Sequence, residues 1–346
     1  MKFSKKLKPK RKNNMPANKK ALSLISAAIK KHSTFFIAGH LKPDGDTVGS
    51  ALALGSLLHR LGKKPKLFSK EPIPEYLRFL PSIHSITITP IVTGTFDCAI
   101  ILESSTLDRM GNLIDSTQAK TFINIDHHAT STNFGHINYL DPGASSSAEQ
   151  IFYLFKHMKL PISRAEAQNL YIGLVTDTGK FQHINTSPDA MLMAANLIEA
   201  GVKPFEIYDK IYATKSLVSL KLLSLALSTL NVTKEGDIAY IEVTQDMYRA
   251  SGASAMDTED IINYSMMMPG IKIGMLFREI ENSKNEVKVS FRSRGQNDVN
   301  QLARLFGGGG HKNAAGCTIK GTITSAKKQV IPCAVKLLLT GLAVRQ

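Results

Sequence analysis

Asp44 and Asp46 flank a single glycine, and His40 lies four residues before the first of them. In a tight turn Gly45 permits unusual backbone angles, so the two carboxylates can address neighbouring cations. Further along the chain Glu103, Asp126-His127-His128 and Asp177 add two imidazoles and more carboxylates. A mixed oxygen and imidazole set suits manganese or a related divalent ion better than a thiolate-binding metal. Two such ions, roughly 3.5–4 Å apart, can activate a water and neutralise charge on a phosphoryl group during in-line displacement. That chemistry is phosphoester hydrolysis. Taken singly, each residue has a plainer reading: Asp-Gly-Asp as a turn, His-His as a surface pair, and Asp177 before Thr178-Gly179 as a helix cap.

Position is what sets them apart. The His40 to Asp46 cluster follows the strand-like Thr34-Phe35-Phe36-Ile37-Ala38, and Glu103 follows Ala99-Ile100-Ile101-Leu102. Asp126 follows Thr121-Phe122-Ile123-Asn124-Ile125, and Asp177 ends the apolar stretch from Leu170 to Val175, read here as a fourth strand. Helix-like segments lie between, which gives an α/β fold: a mainly parallel sheet with helices on both faces. Ligands of such sheets gather at the carboxyl ends of the strands, where strand order reverses. After the third cluster, Asn138 to Ser147 reads as a turn into a helix starting near Ser147, with Ile151, Leu154 and Phe155 on one face. Its N-terminus could meet phosphate oxygens or be an ordinary N-cap.

The 346 residues, 43% of them hydrophobic, suffice for about two domains with cores. Cys98, Cys317 and Cys333 have no paired spacing, so neither a disulfide framework nor a zinc site is indicated, and a reducing cytoplasm is the expected location. Nine Lys or Arg and no acid fall in the first 20 residues, leaving 34 cationic against 28 acidic residues, a net +6, in the rest. The tail over 1–20 is expected to be disordered. It serves as a solubilising extension, or precedes a start at Met15, rather than as an RNA tether. Leu22, Ile25, Ala28 and Ile29 recur at helical spacing, which predicts an amphipathic helix on the sheet instead of a signal peptide. No run reaches the ~18 apolar residues of a membrane span.

From 191 to about 230 helical patterns dominate, including Leu217, Leu220, Leu223, Leu225 and Leu227, and suggest a connector between domains or a homodimer surface. Beyond it a smaller mixed α/β domain is expected. Leu230 to Thr233 and Ile238 to Val243 form a hairpin signal, and Lys272 to Ile280 pairs with Glu286 to Arg292. Arg292 and Arg294, two apart on a strand, would share one face and clamp phosphate. Then come Gly307-Gly308-Gly309-Gly310-His311, poor for strand or helix but open to a close-lying phosphate or base.

Together these motifs resemble the DHH phosphoesterases, named for the triplet that is Asp126-His127-His128 here. The glycine run with Lys312-Asn313-Ala314-Ala315-Gly316 is similar to the C-terminal domain associated with that family. The resemblance covers nearly everything from Ala21 onward. It implies domains over 21–190 (metal-binding phosphoesterase) and 231–346 (substrate-binding), joined through 191–230, with a cleft between them. It implies that His40 and Asp44 hold one Mn2+, that Asp46, His127 and Asp177 hold a second, and that the acid at Glu103 bridges them. His128 then faces the scissile phosphate as a donor or general acid, and Asp126 orients the histidines. Gly308, Gly309, Gly310, His311, Arg292 and Arg294 grip the substrate. The family commonly has Asp where this chain has Glu103; Asp97 lies about 20 Å upstream along an extended strand and cannot replace it. The branch most resembled trims short single-stranded RNA to mononucleotides and dephosphorylates adenosine 3′,5′-bisphosphate (pAp). The alternatives are a phosphodiesterase for cyclic di-AMP or pApA, and a catalytically silenced nucleotide- or RNA-binding protein.

Overall fold

The computed structural model describes residues 18–340 apart from 214, 259, 282 and 284. Most of the basic tail therefore lies outside the described residues, although its last two positions, Lys19 and Lys20, open the first helix. The chain divides into two units, Met1–Ala213 and Thr214–Gln346.

In the first unit α1 (Lys19–Lys31) buries Leu22, Ile25, Ala28 and Ile29, the stripe expected from their spacing. β1 (Thr34–Ala38), α2 (Gly45–Arg60), β2 (Lys64–Ser69), β3 (Ile86–Ile88), β4 (Phe96–Leu102), β5 (Ala119–Asp126) and β6 (Ile137–Leu140) follow. Their six strands form one sheet in the order β3-β2-β1-β4-β5-β6, parallel throughout. α3 (Ser147–His157), α4 (Arg164–Asp177), α5 (Pro188–Glu199) and α6 (Pro204–Tyr212) complete the unit. Phe35, Ile37, Ile100 and Ile123 point into a core shared with these helices. Phe36, Ala99, Ile101 and Phe122 point the other way, onto Val92, Met110, Leu113 and Ile114. Helices were expected on both faces, but this second face is covered by the connections 89–95 and 103–118, whose helical content is a turn of 3-10 helix, Leu107–Met110.

The second unit runs α7 (Leu217–Leu227), β7 (Asn231–Val232), β8 (Ile238–Val243), α8 (Gln245–Ser251), α9 (Ile261–Ser265), β9 (Ile273–Glu279), β10 (Glu286–Ser293), α10 (Val299–Arg304), β11 (Gly309–His311), β12 (Ala314–Lys320) and α11 (Ile323–Thr340). Its mixed sheet has the order β11-β12-β10-β9-β8-β7. The β7–β8 and β9–β10 antiparallel pairs are those read from the alternation of the sequence. The helical stretch 191–230 is not one connector. Ala194 and Leu197 of α5 and Ile207 and Ile211 of α6 join the first core, whereas Leu222 and Ala226 of α7 pack on Ile241 and Leu276 in the second unit.

Candidate metal centre

From β1 the chain builds outward to β2 and β3, then returns across β1 to lay down β4, so strand order reverses between β1 and β4. Ligands of open α/β sheets sit beyond the carboxyl ends of the strands at that point. His40 lies two residues past β1, Glu103 directly follows β4, and Asp126 is the last residue of β5. Residue types that the sequence scatters are thereby delivered to one rim.

Glu103 is at the centre of it, 2% exposed. Its Oε2 lies 3.7 Å from His40 Nε2 and its Oε1 3.9 Å from His127 Nε2. Two groups of potential ligand atoms result, His40 with Asp44 and Glu103, and Glu103 with His127 and His128, each within 4.8 Å. Glu103 belongs to both. Its φ of 53° is uncommon for a residue with a side chain, the kind of backbone strain that folds retain at functional places. His40 Nδ1 lies 2.5 Å from the Leu41 carbonyl oxygen, and its Nε2, on the side of the acids, lies 2.9 Å from the Thr47 hydroxyl. Thr47 donates to Glu103 Oε2 at 2.5 Å, and Asp44 caps α2 by accepting the Thr47 amide at 2.9 Å. The other Asp44 oxygen lies 3.9 Å from His40 Nε2.

Asp46, 1% exposed, sits in the first turn of α2. Its Oδ2 accepts the Ser147 amide at 2.6 Å and its Oδ1 the Ala148 amide at 2.8 Å. The N-terminus of α3, open to phosphate in the sequence reading, is thus taken by this carboxylate, whose charge the helix end favours. Asp177 Oδ2 lies 3.7 Å from His127 Nε2. Asp126 Oδ1 accepts both the backbone amide and Nδ1 of His128, at 3.1 and 2.8 Å.

Electrostatics test whether this set suits a cation. Burial, then the charges of Asp177 and Asp44, push the Asp46 carboxyl up to about 7, against some relief from His127. Burial and the charges of Asp46 and Asp44 lift Glu103 well above the usual carboxylate range, and burial lifts Asp177. Burial also acts to raise Asp126, but the hydrogen bonds from His128 outweigh it and hold this acid low. His127 Nε2 is buried without a hydrogen-bond partner. Crowded acids whose ionisation is disfavoured and a buried, unpartnered imidazole nitrogen fit divalent cations, whose charge would let the acids ionise together.

The fourth motif departs from expectation. Asp177 ends a helix, α4, and not a strand. Residues Leu170 to Val175 are all buried, so the run is apolar on every side and its periodicity cannot separate strand from buried helix. The Ser163–Glu166 capping box that opens α4 was the available signal. Two positions escaped notice. Asn185 Nδ2 reaches Asp177 Oδ2 at 3.0 Å and the Ser145 carbonyl at 2.8 Å, tying the end of α4 to the loop before α3. Gly173 leaves the space that Asp46 occupies: a Cβ there would fall 2.6 Å from Asp46 Oδ1 and 2.7 Å from the Ala148 Cβ.

In the second unit β10 stops at Ser293, so Arg292 and Arg294 do not share a strand face. Arg294 turns its guanidinium to the Met266 carbonyl, and Arg292 donates to the Phe291 carbonyl at 3.1 Å. The glycine run is also more ordered than its composition suggested, because Gly309–His311 pairs with Ala314–Gly316 as edge strand β11. Gly310 has φ 149° and passes so close to the Ala314 carbonyl that only glycine fits. Register then aligns Gly274, Arg292, Ala314 and His311 in one row across the sheet.

Residues 34–174 match the DHH family, N-terminal domain, and residues 238–338 match the DHHA1 domain. A Thermus thermophilus protein named bifunctional oligoribonuclease and PAP phosphatase NrnA is 31% identical over 303 residues, 87% of this chain and 89% of that protein. The chain belongs to the DHH family. A Bacillus subtilis protein of the same name is 26% identical to this DHH chain over 296 residues, 84% of the chain and 91% of the relative. Among solved structures, an exopolyphosphatase-related protein from Bacteroides fragilis superposes with a TM-score of 0.80 at 27% identity, covering 92% of this chain and 96% of that one. Among the described residues of the DHH chain, no helix is long and apolar enough to cross a membrane.

Proposed function

We propose that this chain hydrolyses RNA fragments of a few nucleotides to mononucleotides, and removes the 3′-phosphate of pAp to give AMP. The proteins it resembles over 84–87% of its length are named for these two activities. The observation that carries the reading is Glu103, which presents one oxygen toward His40 and the other toward His127. His40, Asp44 and Glu103 would hold one divalent ion, and Glu103, His127, Asp177 and Asp46 a second, Mn2+ in both places. Bound there, the ions supply an activated water and neutralise charge on the phosphoryl group.

The side chains divide the remaining work. Asp126 holds Nδ1 of His128 at 2.8 Å, which fixes the ring and leaves Nε2 on the partly exposed side. Protonated, that Nε2 donates to the oxygen leaving phosphorus. In the second unit Arg292 and His311, on either side of Ala314 in one row, hold the nucleotide's phosphate, and the glycines of β11 let it lie close. Arg294 serves by bracing the Met266 loop. We place the enzyme in the cytoplasm.

The test compares turnover of pAp, a trinucleotide RNA and cyclic di-AMP by the full chain with Mn2+. The expected order puts RNA and pAp ahead. Preference for the cyclic compound overturns the choice of substrate, and nucleotide binding without metal-stimulated hydrolysis would mark a silenced site.

A further inference from the structure

One face of the second sheet is covered only in part. α7 and α9 pack on β8 and β9 through Leu222, Ala226, Ile261 and Ile262, against Ile241 and Leu276. Beyond them β10 and β12 leave Lys288, Ser290, Arg292, Ala314, Gly316 and Thr318 exposed or half-buried, while the alternate residues Val287, Val289, Phe291, Ala315 and Cys317 fill the opposite core. Lys288 pairs with Thr318 in register. Beside them, where the β12 edge meets the end of α10, opens a cavity of about 280 Å³ lined by Lys288, Phe306, Gly307, Gly308, Gly316, Cys317 and Thr318. Neither Lys288 nor Arg292 has an ion-pair partner among the described residues.

The chemistry of this lining is that of a nucleotide subsite. Phe306 offers a ring on which a base can stack, Lys288 an unpaired cation for phosphate, and the glycines backbone that a ligand can approach without meeting a side chain. Lys288 and Arg292 lie four residues apart on the same face of β10, about 13 Å at ~3.3 Å per residue. That separation is several times the ~3.4 Å rise between stacked bases. A ligand held at Arg292 must therefore continue for more than one nucleotide to reach Lys288.

We propose that the cavity beside Lys288 and Phe306 binds a distal nucleotide of an RNA strand lying along the open face of β10, and so serves oligonucleotides but not pAp. The proposal rests on the reading of Arg292 and His311 as the grip on the first nucleotide. It gives one enzyme two modes of substrate binding: pAp held at the Arg292 end alone, RNA held at both ends.

Two variants of the full chain test it. Lys288→Ala removes an exposed side chain, and Phe306→Leu keeps apolar contact with the core that Phe306 adjoins. KM is measured for a pentanucleotide RNA and for pAp. Each variant is expected to raise KM for the pentanucleotide about tenfold, in line with the loss of one phosphate or stacking contact, and to leave kcat/KM for pAp within about twofold. Equal loss on both substrates, or no change on RNA, overturns the subsite. If wild type hydrolyses neither substrate, the functional reading fails, and the subsite is still decided by fluorescence anisotropy of the labelled pentanucleotide in EDTA. In that assay Lys288→Ala should weaken binding and reduce the log–log salt slope by about one; unchanged binding overturns the proposal.

Discussion

Glu103 Oε2 stands 3.7 Å from His40 Nε2, with the backbone that carries it held at φ 53° and its second oxygen turned to His127. The Glu103 carboxylate thus faces two imidazoles at once. Glu103→Gln removes the charge and should lower Mn2+ affinity by more than the ~10–100-fold typical of losing an outer-sphere partner. Glu103→Asp keeps the charge, and aspartate tolerates a positive φ better than most residues. It should fold normally yet lose turnover of pAp by about tenfold through shortened reach. Calorimetric Mn2+ titration with parallel turnover checks both; wild-type affinity in Glu103→Gln would remove the residue from the site.

His128 and Asp126 should separate catalysis from metal binding. His128→Ala deletes the proposed proton donor and should reduce kcat by ~100-fold or more, the usual scale for general acid catalysis. Asp126→Asn keeps a partner for the ring but removes the negative charge that holds Nδ1 as the donor, and should also lower kcat severely. Because Asp126 Oδ1 bonds His128 and not His127, Mn2+ stoichiometry should stay near wild type in Asp126→Asn. A single-turnover rate at saturating metal that matched wild type in His128→Ala would assign the proton to another group.

The contrast between strands and helices explains which parts could be read in advance. β1, β4 and β5 are short apolar runs that stop at a polar cluster, and the hairpin of β7 and β8 alternates around a turn, so local pattern and tertiary role agree. In α4 they conflict, since a helix buried on all sides loses the amphipathic period that identifies it. Asn185 and Gly173 were illegible for a different reason. Asn185 acts on Ser145 forty positions away, and Gly173 matters only because α2 brings Asp46 against it.

Acidity in the metal-free protein gives a signed prediction. Asp46 is raised from an ordinary 3.8 to about 7, so between those values the folded chain keeps a proton that the unfolded chain has lost. Stability must then fall as pH rises through this window and level off above it. In EDTA, the melting temperature should drop from pH 5 to pH 8 by about 3 °C more in wild type than in Asp46→Asn, which has no proton to release there. On the proposed assignment metal binding at Asp46 displaces the same proton, so Mn2+ should restore more stability at pH 8 than at pH 5. Parallel slopes for the two proteins in EDTA would contradict the assigned shift.

Two glycines should respond in opposite ways to the same added methyl. At Gly173 a Cβ would press on Asp46 Oδ1 at 2.6 Å and on the Ala148 Cβ at 2.7 Å, where α2, α3 and α4 meet. Gly173→Ala should therefore cost about 1–3 kcal/mol of stability, the range for overpacking, and weaken Mn2+ binding by displacing Asp46. At Gly309 a new Cβ would meet, among the described residues, Asn300 Oδ1 alone at 4.0 Å, and φ is not in the positive range. Neither packing nor backbone geometry demands glycine there, so Gly309→Ala should change stability by no more than ~0.5 kcal/mol. If a nucleotide lies against β11, the methyl intrudes on it, and KM for pAp should rise about tenfold while Mn2+ affinity stays unchanged. Urea denaturation, metal titration and KM on the two variants resolve the pair. Normal kinetics in Gly309→Ala would mean that substrate does not approach this strand.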